Sequence, residues 1–213
     1  WDENKDVIEK NIDKKTVYSA TSSQKIIQGS FLFVGNPFYK TPQNVCTQNS
    51  HYDVLDLINL DINYIGRTNY VPLGSIKNYS NYRLSFRKMI NSSNERTLIS
   101  AVYPASVGHT SSIISFEFNS YDLLISMACF SFSIISDFYV KSTGMSNFGF
   151  NTFKNFPELN INNHMKLRII SLSVLTMDYS ELFEEQFNEE FKNDSWSKPN
   201  DPRLNQNFFK NLT

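Results

Sequence analysis

The chain has 213 residues, 40% of them hydrophobic and 15% aromatic, which excludes a disordered polar chain and supplies enough apolar surface for a sizeable core. Its 20 Lys and Arg nearly cancel its 21 Asp and Glu, for a net charge of −1, so overall basicity is not what would hold a nucleic acid. Its 2 cysteines (Cys46 and Cys129) and 3 histidines, none at zinc-ligand spacing, exclude a dense disulfide framework and a zinc site readable from sequence.

Residues 1–24 are polar and charge-mixed, with a weak helical pattern at Val7, Ile8 and Ile12 followed by a Ser/Thr cluster. They read as a linker or packing element. No apolar signal-peptide core follows Trp1, so the expectation is a piece of a longer, cytoplasmic polypeptide with reduced thiols. Residues 25–160 form the main body. Within it, residues 25–38 read as one or two strands ended by Gly35, Asn36 and Pro37. Residues 54–60 read as a short helix or strand, residues 62–71 as a strand carrying Arg67, and residues 111–118 as a further strand. Residues 121–140 carry apolar side chains around most of a helical surface, interrupted by serines and Asp137. A membrane span needs about 20 mostly apolar residues, but the polar interruptions and the absence of flanking belts favour a buried core helix. Residues 147–154, with Phe148, Phe150 and Phe153, read as a short aromatic strand. From residue 161 to 213 a helical period appears, split near Thr176 and ending in an extended tail anchored by Trp196, Leu204 and Phe208. The whole predicts an α+β fold: a twisted, mixed, β-rich body with one buried apolar helix and C-terminal helices.

The charge is unevenly distributed. Residues 62–100 hold six bases (Arg67, Lys77, Arg83, Arg87, Lys88 and Arg96) against the single acid Glu95, whereas residues 177–201 hold eight acids against two lysines. The basic stretch contains two strand-like runs, residues 82–90 and 97–103, joined by a polar turn at 91–95. They read as a hairpin with one polar and one buried ribbon. Arg can bridge two acceptors on a guanine edge, Asn can pair with an adenine edge, and Lys can fix phosphates. Arg83, Arg87, Lys88, Asn94 and Arg96 are therefore candidate DNA contacts, with Arg67 and Asn69 as a second patch.

Enzymatic motifs find little support. Asn36-Pro37-Phe38-Tyr39 half matches the Asn-Pro-Pro-aromatic loop that holds a flipped adenine. It has one proline where that loop has two, and the seven glycines never occur as Gly-x-Gly, the turn that would admit a methyl-donor cofactor. A strand-ending turn is the simpler reading. Glu190-Phe191-Lys192 has the Glu-x-Lys spacing of metal-dependent nucleases but lies in an acidic helical run. His51, His109 and His164 are too isolated to argue a Ser/His/Asp or Cys/His arrangement.

The run YRLSFRKMINSSNERTLISAVYP, the apolar helix after HTSSIISFEF, the segment ending NFGFNTFKNFPEL, and LTMDYSELFEEQF followed by DPRL resemble the C-terminal, target-recognition half of large bacterial DNA adenine methyltransferases, the type IIG restriction-modification and phage-exclusion enzymes. The resemblance covers roughly residues 30–205. It implies a non-catalytic module that reads double-stranded DNA in the major groove and positions an upstream methyltransferase domain of the same polypeptide. The cofactor, S-adenosylmethionine, would bind in that upstream domain, and the parent would be a site-specific adenine methyltransferase, alone or joined to an endonuclease. A methyltransferase site within this chain, or a protein-docking role for the acidic C-terminal helix, are the alternatives.

Overall fold

The computed structural model describes residues 14–21, 25–48, 50–57, 59–73, 80–202 and 204–212. The fold is α+β, with five α-helices and three small sheets among the described residues. At its centre is a three-stranded antiparallel sheet in which β6 (Arg83–Arg87) lies between β7 (Ser100–Tyr103) and β9 (Ile113–Glu117). Strand alternation sends Leu84 and Phe86 to one face and Arg83, Ser85 and Arg87 to the other. Leu84 opposes Val102 and Phe116, and Phe86 opposes Ile114, all in the larger of two hydrophobic clusters. On the other face Ala101, Tyr103 and Ile113 join Ile27, Phe31, Leu32, Tyr52 and Val107. The predicted hairpin is present, but its polar ribbon is not a free surface, because a second layer covers it.

That layer is a four-stranded sheet in the order β1 (Lys14–Thr21), β5 (Arg67–Pro72), β2 (Lys25–Ile27), β8 (Val107–His109). β5 runs antiparallel to both neighbours, and β2 runs parallel to β8. Of the two readings of residues 1–24, linker or packing element, Lys14–Thr21 takes the second, as a strand paired with β5; Val7, Ile8 and Ile12 lie outside the described residues. β3 (Lys40–Pro42) and β4 (Tyr52–Val54) form a separate antiparallel pair.

The helices pack on the Leu84/Phe86 face. α1 (Tyr121–Phe132) is capped by Ser120, whose side chain accepts from the Leu123 amide, and it buries Leu124, Ile125, Met127 and Ala128. The single helix expected over residues 121–140 breaks at Ser133, and α2 (Ile134–Ser142) leaves at 63°. Ser133 is extended, and its hydroxyl accepts from the Ser136 amide, so it ends one helix and caps the next. Among the described residues no single helix is long and apolar enough to cross a membrane, although this bent pair passes by length and composition together.

The expected strand at 147–154 is instead an isolated bridge from Asn147 to Met89 followed by a short helix, α3 (Phe150–Phe153). The aromatic spacing serves packing: Phe148 stacks on Phe86 at 4.5 Å, and Phe153 on Phe116 at 3.9 Å between ring centroids. The C-terminal helical reading holds, as α4 (Asn163–Ser173) and α5 (Ser180–Gln186), separated by a 3₁₀ turn (Met177–Tyr179) that follows Thr176. The tail folds back instead of lying extended. Trp196 packs on Phe208 and on the buried Phe209, and the Arg168 guanidinium lies 4.8 Å from the Phe209 ring centre.

Candidate nucleic-acid interface

Because β6 is covered on both faces, its arginines have structural duties. Arg83 is fully buried and donates to the Val107 carbonyl, tying the central sheet to β8. It has no solvent-facing surface, so its assignment as a DNA contact is corrected to an interior role. Opposite it, Tyr103 is buried, and burial pushes its phenol well above the ordinary value against the opposing influence of Arg83 and Arg87. His109 and Ser115 make a second link between the sheets, with Nε2 and Oγ 2.8 Å apart and Ser115 fully buried. A hydroxyl sealed in this way is a cross-link, not an exposed nucleophile.

Arg87 is half-buried, and burial lowers its pKa. Its guanidinium donates to the Gly29 carbonyl at 2.9 and 2.6 Å and to the Leu32 carbonyl at 3.0 Å. A Cβ at Gly29 would stand 3.2 Å from Arg87 Cγ, so glycine allows this close approach. Arg96 Nη2 donates to the carbonyls of Phe132 and Ser133 at 3.0 and 3.1 Å, where α1 ends, and its Nε lies 3.5 Å from Asp137. Asn69 is buried, with its amide toward the Cys46 carbonyl and the Tyr52 hydroxyl, so it too is corrected from DNA contact to interior residue. Arg67 donates to Asn44 Oδ1 at 2.9 Å, beside β3 and away from the hairpin. Lys88 is half-buried, with its backbone tied to Ser112 and Phe148. Asn94 is exposed.

What these anchors build is a groove. Two adjoining depressions, of about 570 and 400 Å³, share Ser30, Arg87 and Asn94. The larger is bounded by Lys14, Gln28, Tyr70, Asn91 and residues 110–112, the smaller by Tyr39, Lys40, Glu95 and Arg96. Together the walls carry four bases, Lys14, Lys40, Arg87 and Arg96, against one acid, Glu95. Lys14 Nζ lies 5.7 Å from the centre of the Tyr70 ring, which places a cation and an aromatic face side by side. The structure thus brings together Arg87, Asn94 and Arg96 from the candidate set and leaves Arg83, Lys88, Asn69 and Arg67 outside. Tyr70 belongs to the second patch read from sequence, but Lys14 and Lys40 have no signal in local sequence, because the pairing of β1 with β5 is what sets Lys14 beside Tyr70.

The enzymatic motifs resolve as structural. Asn36 Oδ1 accepts from the Phe38 amide at 2.8 Å, Gly35 has φ +78°, and Phe38 is buried in the core, so residues 36–39 are a closed turn with no exposed ring at Phe38. Glu190 accepts from Asn163, and Lys192 pairs with Glu189 at 2.9 Å. Among the described residues no group of three His, Cys, Asp or Glu side chains is arranged to hold a metal ion. No family model matches the chain, and neither a curated protein nor a solved structure matches it.

Proposed function

We propose that the chain is a double-stranded DNA recognition module, acting in the cytoplasm as the target-reading part of an adenine-methylating restriction-modification or phage-defence protein. The observation that carries this reading is the groove, whose walls set four bases and a run of amide and hydroxyl side chains against one acid in a chain of net charge −1. Lys14 and Lys40 supply phosphate contacts, which position a duplex, and the amide side chains face base edges, which specify it. The resemblance of residues 30–205 to target-recognition regions agrees with this division of labour. In this reading methyl transfer, with S-adenosylmethionine as donor, belongs to a domain upstream on the same polypeptide, for which this module selects the site.

Duplex binding measured by fluorescence anisotropy over a series of salt concentrations tests the proposal. The Lys14→Glu/Lys40→Glu double variant is expected to lose about ten-fold or more in affinity at low salt, and its salt slope should fall by about two. Equal affinities and slopes for the variant and the unmodified chain would remove the groove from the reaction.

A further inference from the structure

The loop at 91–95 is exposed along its whole length, yet both of its ends are fixed. On the entering side Arg87 holds the backbone at Gly29 and Leu32, and the Ile90 amide donates to the Ser146 carbonyl. On the leaving side Asp137 Oδ1 accepts from the amides of Thr97 and Leu98 at 2.8 and 2.7 Å, while Arg96 grips the end of α1. Within the loop, Asn91 Oδ1 accepts from the Ser93 amide and the Asn91 carbonyl from the Asn94 amide, which sets a defined turn. These bonds fix the backbone of the loop, and with it the points from which its side chains reach out, as discrimination between base edges requires.

Glu95 is the informative member. It is exposed and lines a groove whose other charges are positive, and it makes no ion pair among the described residues, because the neighbouring Arg96 points to Phe132, Ser133 and Asp137. A carboxylate facing phosphates is repelled; one facing an exocyclic amine accepts a hydrogen bond, and cytosine N4 presents such an amine in the major groove. Asn94, beside it on the same turn and on the wall of both depressions, has the donor and acceptor pair that matches adenine N7 and N6. We infer that Asn94 and Glu95 are the base-reading residues of the module, Asn94 selecting adenine and Glu95 selecting cytosine, with Arg87, Arg96 and Asp137 as positioning residues. The inference rests on the DNA-binding reading above and names the bases that this groove would take.

Selection from a randomised duplex library, followed by sequencing, separates the two claims. The unmodified chain is expected to enrich a site containing an invariant cytosine and an invariant adenine. Glu95→Ala should relax the cytosine position about ten-fold or more while raising affinity for unselected duplex, since a negative charge is removed. Asn94→Ala should relax the adenine position alone. Both side chains are exposed, so thermal melting should show both variants folded like the unmodified chain. If the chain enriches a site and both variants enrich the same site equally well, the assignment of Asn94 and Glu95 is overturned and DNA binding stands. If the unmodified chain retains no duplex, both claims are overturned.

Discussion

Asp137→Ala is expected to lower the stability of the chain by about 3–5 kcal/mol, the cost of removing one partner from a buried charge network. One carboxylate oxygen accepts the amides of Thr97 and Leu98, both buried, and lies 3.5 Å from Arg96 Nε. Alanine leaves two amides without acceptors and a cation without its counter-charge, and buried unsatisfied donors cost about 1–3 kcal/mol each. Asp137→Asn keeps an acceptor oxygen for the amides and loses only the charge, so its cost should be markedly smaller. Urea denaturation of the two variants measures the difference. Equal, small losses would show that the stem of the 91–95 loop is not held by this residue.

The second large effect concerns Arg83. Arg83→Ala removes a fully buried side chain that crosses from the central sheet to the Val107 carbonyl, leaving both a cavity and an acceptor without its donor. The expected loss is about 3–5 kcal/mol, comparable to truncating a large core side chain. Arg83→Met preserves most of the volume and brings no charge into the core, so it should be better tolerated than alanine. Neither variant is expected to change duplex affinity of the folded protein. Chemical denaturation together with binding at a temperature where the variants remain folded distinguishes this role from a contact role, for which affinity would fall and stability would hold.

The fate of Arg83 shows where sequence reasoning reaches and where it stops. The alternation of β6 is plain in the sequence, with Leu84 and Phe86 on one face and Arg83, Ser85 and Arg87 on the other, but reading the whole run as a polar ribbon misses that Leu84 and Phe86 are core. The covering of the polar side depends on β2 and β8, strands of three residues each whose pairing is parallel and distant in the chain. Runs that short have no measurable period. The break in the apolar helix was hidden for a related reason. Ser133 is one of several serines in an apolar stretch, and only its extended backbone and its bond from the Ser136 amide distinguish it. Phe148, Phe150 and Phe153 misled in the opposite direction, because their spacing mimics strand alternation while Phe148 and Phe153 fill places against Phe86 and Phe116.

The candidate site was legible in its loop and not in its walls. Asn94 stands out in sequence because it lies in the polar turn that joins the two strand-like runs, and the structure leaves it exposed between two fixed stems. Lys14 lies in a stretch that reads as a linker or packing element and Lys40 just after the turn at residues 35–37, and folding alone carries them to the same groove. Clustered arginines, by contrast, were a poor guide to surface, since guanidinium groups satisfy backbone carbonyls at sheet and helix ends as readily as they meet phosphate. Arg87 and Arg96 do so here while still lining the groove.

Whether this groove is the DNA-facing surface is decided by amide hydrogen exchange with and without a saturating mixture of duplexes at low salt. Slowed exchange is expected in segments 28–32, 88–96 and 110–112, with no change over the acidic residues 181–193. Protection confined to other segments, or none at all, would rule the groove out as that surface.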